Sequence, residues 1–206
     1  MQPGKLITLE GSEGTGKSTN LGYVHDYLAQ RGVPVVITRE PGGTALGEAI
    51  RALVLSDQVI VPEAELLLLC AARAQHVRHV MEPALAAGHW VVSDRFTEAT
   101  HAYQGGGRGI HTDIIEYLER WILGDLRPDL TLLLDIPPET GQQRIRNRRS
   151  TDRFEREDTG FFERVRARYL ERARMSDGRI RLIDAARPLA QVQADIAHHL
   201  DEILAA

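Results

Sequence analysis

The chain has 206 residues, 43% hydrophobic and 26% charged, enough to bury one substantial core in a single domain. Its formal net charge of −4 argues against a general nucleic-acid binder. The lone Cys70 excludes an internal disulfide and fits a reducing compartment. No apolar run reaches membrane-spanning length and no charged-then-apolar leader opens the chain, so a cytoplasmic protein without a membrane partner is expected.

Residues 6–9 read as a buried strand, and residues from Lys17 onward as a helix with Leu21, Val24 and Leu28 at helical spacing. Between them, Gly11-Ser12-Glu13-Gly14-Thr15-Gly16-Lys17-Ser18 matches G-x-x-x-x-G-K-[ST] in the strand–loop–helix context that the motif requires. The glycines let several N–H groups point inward, and the start of the following helix adds positive potential, so the loop is an anion cradle. Lys17 is placed to hold the β- and γ-phosphates of ATP and the Ser18 hydroxyl to ligate Mg²⁺, with Thr19 completing the ATP-binding run.

A second strand is expected over residues 34–38, followed by a turn-rich loop over 39–44, a helix over 45–54 and a loop over 55–61. A long helix is expected from Pro62 to about Ala87, where Gly88 ends it, and Cys70 on it reads as a small buried hydrophobe. A third strand over 89–93 terminates at Asp94-Arg95, and a helix reaches about Tyr103. Residues 104–109, with four glycines, read as a flexible loop before a helix over 111–123. A fourth strand over 130–135, a helix over 138–148, a helix over 159–175, a fifth strand over 180–184 and a helix over 188–204 complete the chain. Alternating apolar strands and helices imply a doubly wound, five-stranded parallel sheet flanked by helices, with ligands at the carboxyl ends of the strands.

With lysine only at positions 5 and 17, the chain has no N-K-x-D guanine reader, and it has no D-x-x-G switch motif, so a GTPase is excluded. A small-molecule kinase needs cations opposite the γ-phosphate. Arg95 past the third strand, Arg51 on the short helix and Arg73 on the long helix are the candidates, against the plainer reading of each as a surface arginine. The arginine-dense stretch over 144–156 is interleaved with Asp152 and Glu155. It reads either as a solvated face or as a lid, over about 144–158, that brings arginines to the transferred group. The eight histidines have no evident task, and no carboxylate or cysteine pairs with His76 and His79 or with His198 and His199 at metal spacing.

Residues 11–18, 38–44 (T-R-E-P-G-G-T), 71–73 (A-A-R), 94–95 (D-R), 102–109 (A-Y-Q-G-G-G-R-G), 127–131 (R-P-D-L-T) and 152–153 (D-R) resemble bacterial thymidylate kinase, in order and over nearly the whole chain. The resemblance implies a P-loop nucleoside monophosphate kinase fold with a lid, the reaction ATP + dTMP → ADP + dTDP, and a homodimer. The leucine-rich face of the 62–87 helix is consistent with the last of these. By the same resemblance, Arg95 and Arg51 hold the dTMP phosphate, Arg73 contacts thymine O4, and Thr100 and Gln104 approach the base edge. Tyr103 packs under the deoxyribose, Glu13 and Glu40 lie near the sugar hydroxyl and the metal waters, and Asp94 is an outer Mg²⁺ partner. None of the variable P-loop positions is basic, so the chain resembles the members whose lid supplies the catalytic arginine, with Arg153 and Arg148 the first candidates and Arg149 beside them. Arg187, past the fifth strand, is assigned to the adenine end. Leu69 stands where the family usually places a phenylalanine that stacks on thymine. The alternatives that remain are another nucleoside monophosphate kinase and a P-loop module without transfer activity.

Overall fold

The computed structural model describes residues 4–145 and 153–205. Five parallel strands, β1 (Leu6–Glu10), β2 (Val35–Arg39), β3 (Trp90–Asp94), β4 (Leu130–Asp135) and β5 (Ile180–Asp184), form one sheet in the order β2-β3-β1-β4-β5. This is the doubly wound sheet that the alternating pattern implies. β1 is buried along its whole length, and β4 until its last residue, because helices cover both faces. The edge strands β2 and β5 are half-exposed, each having one neighbour.

The chain leaves β1 through α1 (Lys17–Ala29) toward β2 on one side, and leaves β3 toward β4 on the other. The carboxyl ends of β1 and β3 therefore diverge at a topological switch point, where a crevice must open. Leu9 pairs with Asp94 across those ends, so the P-loop and the Asp94-Arg95 turn start side by side.

On one face, α1 and α9 (Leu189–Ala205) pack Val24, Leu28, Val192, Ile196 and Leu200 against Ile7, Leu9 and Leu132. On the other, α3 (Pro62–His76) and α6 (Thr112–Leu123) pack Leu66, Ile115 and Ile122 against Leu6, Val91 and Phe96. Helix α2 (Ala45–Leu55) lies on α3, with Ile50 and Val54 buried against Ala72.

The long helix over 62–87 is not uniform. α3 gives way to a widened π turn over Val77–Met81 and then to α4 (Glu82–Ala86). Pro83 has no N–H and its ring would strike the carbonyl one turn back, so the turn before it opens.

The expected flexible loop at 104–109 is a correction. After α5 (Thr97–Thr100), residues His101–Gly107 form a π turn in which Tyr103, Gln104 and Gly105 are buried. It packs on α8 (Thr159–Arg174). A Cβ on Gly107 would lie 2.4 Å from the Phe161 ring, so glycine here permits close approach and not motion. α7 covers Pro138–Ile145; residues 146–152, the middle of the expected lid, lie outside the described residues, and with them Arg148, Arg149 and Asp152.

Candidate active site

A cleft of about 290 Å³ opens at the switch point. One wall is the P-loop and the start of α1, from Glu13 to Thr19. The opposite wall carries Glu40, Arg51, Leu69, Arg73, Asp94, Arg95, Thr100, Tyr103 and Gln104. Gly11 and Ser12 are buried and are not part of the lining.

The loop needs its glycines for space as well as for dihedral angle. Gly14 has φ +74°, and a Cβ on it would lie 2.5 Å from the Gly141 carbonyl oxygen of α7. Within the cradle, the buried Lys17 ammonium donates to the carbonyls of Gly11 and Ser12, both at 2.9 Å. Burial lowers its pKa, and the Arg95 guanidinium adds to that shift.

Arg95 has φ +70°, rare for a residue with a side chain. Its turn is pinned at several points. Its N–H donates to Leu9 O, its carbonyl accepts from Ser93 Oγ, and the next N–H, of Phe96, donates to the Glu10 carboxylate at 2.7 Å. The guanidinium donates to Glu13, to the Tyr103 hydroxyl at 3.0 Å and to Gly11 O at 3.1 Å, and lies over the Tyr103 ring at 4.8 Å. Burial opposes its charge, but Tyr103, Glu13 and Tyr169 outweigh burial and raise its pKa. Arg51 differs. Its hydrogen-bond partner is the Pro41 carbonyl at 3.1 Å, and burial, then Arg39, lowers its pKa. It is a cation in the field of other cations, a setting that favours an anionic ligand.

Glu10 was not singled out by sequence. It is fully buried and accepts from Tyr169 Oη at 2.8 Å as well as from Phe96 N. Burial raises its pKa to about 7, opposed by Arg95. Since the folded value exceeds the ordinary 4.5, its contribution to stability is fully present below that value and is lost as pH rises through about 7. Glu10→Gln abolishes this titration. Relative to wild type, the variant should therefore gain up to about 3 kcal/mol on going from about pH 4.5 to about pH 8. Urea midpoints of both proteins at the two pH values check this, and a constant difference would show that Glu10 ionises normally.

Arg73 is buried and held at three points: Nε donates to Glu40 Oε2 at 2.6 Å, Nη1 to Thr100 Oγ1 at 3.0 Å and Nη2 to Phe96 O at 2.9 Å. The other Glu40 oxygen pairs with His76 Nδ1 at 3.1 Å, and His76 Nε2 lies 2.6 Å from Thr38 Oγ1. His76 thus has a place, between the Glu40 carboxylate and the Thr38 hydroxyl. No local sequence signal marks this, because the partners lie 36 and 38 residues away. The expectation that no carboxylate stands near His198 and His199 is also corrected. Glu202 lies 3.6 and 3.0 Å from them on α9. The cluster is at the surface, and Arg181 shares the same carboxylate at 3.6 Å.

Two assigned residues stand apart from the cleft lining. The Arg187 guanidinium pairs with Asp195 of α9. Arg153 pairs with Glu65 and donates to Val54 O at 3.2 Å. Residues not assigned from sequence also come in, Arg39, Pro41, Val54 and Phe96 in the cleft lining among them, and two from the arginine-dense stretch. Phe154 lines the cleft, and Arg144 donates to Gly14 O at 3.3 Å and Ala185 O at 3.1 Å, tying the P-loop to the loop after β5. Both were hidden inside the arginine-dense stretch.

A family model described as thymidylate kinase matches residues 9–196. The chain belongs to the thymidylate kinase family. Among its relatives, the thymidylate kinase of Methylococcus capsulatus is 60% identical over 205 residues, covering 100% of this chain and 99% of that one. That of Chromobacterium violaceum is 52% identical, covering 98% and 95%. The crystal structure of thymidylate kinase from Ehrlichia chaffeensis superposes with a TM-score of 0.81 at 32% identity, covering 97% of this chain and 99% of that one. The family uses ATP as its phosphate donor. No helix among the described residues is long and apolar enough to cross a membrane.

Proposed function

We propose that the protein transfers the γ-phosphoryl group of ATP to dTMP, giving dTDP, as a step in nucleotide biosynthesis. One observation carries this reading: Lys17 and Ser18 of the P-loop line the same cleft as Arg95 and Arg51 of the facing wall, so two anion sites face one cavity. The P-loop takes the donor phosphates, and Arg95 and Arg51 take the acceptor phosphate. Arg73, Thr100 and Gln104 form a polar edge for the base, and Tyr103 lies beneath the sugar.

The acceptor is a phosphate monoester with second pKa about 6, mostly a dianion at neutral pH, so no general base is required. Catalysis reduces to holding two polyanions in line and neutralising the charge spread over the transferred group. Lys17 and Arg95 supply fixed charge, and Arg148 or Arg149 is the proposed lid arginine. The residues present also fit Mg²⁺. Asp94 Oδ1 is buried without a hydrogen-bond partner among the described residues, and it shares the cleft with Ser18 and Glu13. Ser18 would ligate the ion and Asp94 would hold its waters; the ion when bound neutralises the β- and γ-phosphates. Glu40 is spoken for by Arg73 and His76, so its proposed share in the metal waters is secondary to fixing Arg73.

The working unit is proposed to be one cytoplasmic domain that pairs as a homodimer. Support for pairing comes from exposed Leu67 on α3, Leu46 on α2 and Tyr117 and Trp121 on α6, large apolar side chains on helices that pack together.

The test is ADP release from ATP and Mg²⁺ with dTMP, dUMP, UMP, CMP, AMP and GMP in parallel. A strong preference for dTMP is expected. Comparable turnover of another monophosphate would mean that Leu69 has re-cut the base pocket, and no ADP with any acceptor would favour a module without transfer activity.

A further inference from the structure

Glu65, in the first turn of α3, is wholly buried, yet three donors converge on its carboxylate. Gln104 Nε2 donates to Oε1 at 2.7 Å, Arg108 Nε to the same oxygen at 3.3 Å, and Arg153 Nη2 to Oε2. A buried carboxylate with no cation would be costly, and two guanidiniums offset it. Arg153 and Arg108 also flank one ring, lying 4.9 and 5.5 Å from the centroid of Phe154. That ring meets Tyr103 edge-on at 5.7 Å and packs against the cluster of Ile50, Val54 and Ala72, which Leu68 and Leu69 also meet. Phe154 and Leu69 line the cleft together, and Arg153 does not.

We propose that Glu65 is a positioning residue for the acceptor: by clamping Arg153 it holds Phe154 in the cleft that Leu69 also lines, as an aromatic wall of the nucleobase site, while it fixes the Gln104 amide beside that wall. Arg153 then acts through Phe154 on acceptor binding and not on the transferred phosphoryl group. The geometry explains how a pocket with leucine at position 69 still presents a ring to a base: the ring comes from Phe154, 85 residues further along the chain. The inference rests on the nucleoside monophosphate kinase reading.

Steady-state kinetics of Phe154→Leu, Arg153→Lys and Glu65→Gln, with dTMP and ATP varied separately, test it. Each variant should raise the dTMP KM, by about tenfold for Phe154→Leu, more than it lowers kcat, with the ATP KM moved far less. A merely structural role would lower the active fraction and leave KM in place. Phe154→Leu leaves the ion cluster intact, so it reports even if Glu65→Gln folds poorly. A large kcat loss at unchanged dTMP KM in Arg153→Lys would place Arg153 on the phosphoryl group and overturn the proposal, as would unchanged KM in Phe154→Leu. If wild type prefers another monophosphate, the dTMP reading fails, and the same KM test is scored with that acceptor.

Discussion

A Lys17→Met variant should keep its fold and lose turnover by a factor of ~10²–10³ or more, the scale seen when one charge-stabilising donor is removed from a transition state. The fold survives for a local reason. In the unliganded cleft the ammonium serves two P-loop carbonyls, and it stands in the repulsive field of Arg95. Deleting it costs those hydrogen bonds and relieves that repulsion. In the reacting complex the balance reverses, because the lysine is the point charge that meets the transferred phosphoryl oxygens. Measured kcat with saturating ATP and dTMP, alongside a thermal melt, checks both halves. A kcat within tenfold of wild type would remove Lys17 from this role.

The second large effect is expected at Arg73. Arg73→Met keeps much of the side-chain volume but strands Glu40, a buried carboxylate, with His76 as its remaining partner. Breaking a buried pair on one side costs ~3–5 kcal/mol. For a domain of this size that corresponds to a fall in Tm of roughly 6–20 °C. The dTMP KM should rise too, since the guanidinium that bridges Glu40, Thr100 and the Phe96 carbonyl shapes the base edge of the cleft. The double variant Arg73→Met/Glu40→Gln should recover part of the stability and none of the affinity. It removes the uncompensated charge but restores no base contact. A single variant as stable as wild type would show that the pair does not organise this wall.

These two residues differ in how they are found. Lys17 is marked by its neighbours in sequence, because the P-loop is a local structure whose spacing is set by one turn and the first residues of one helix. Arg73 is marked by sequence only as a cation on a helix beside the cleft. What makes it rigid lies 33, 27 and 23 residues away, at Glu40, Thr100 and Phe96. His76 is the sharper case, since its two partners sit at the end of β2 and in the loop after it.

Misreadings have the same origin. Residues 104–109 look mobile because glycine is common in loops. In the folded chain the glycines at 106 and 107 lie where α8 leaves no room for a Cβ, at 2.8 Å from Arg164 O and 2.4 Å from the Phe161 ring. The partner of Arg153 is likewise set at long range: folding places it on Glu65, 88 residues away.

Sequence by itself determined the five-stranded doubly wound sheet, the phosphate cradle and its position at a strand end, because hydrophobic period and glycine spacing are written over short windows. Only the tertiary structure decided which carboxylate each arginine meets, which aromatic ring lines the cleft with Leu69 and that Glu10 is buried against Phe96 N and Tyr169. Those pairings join residues brought together by the crossovers of the sheet, and an arginine's charge alone does not say which of many acids will be left buried and in need of it.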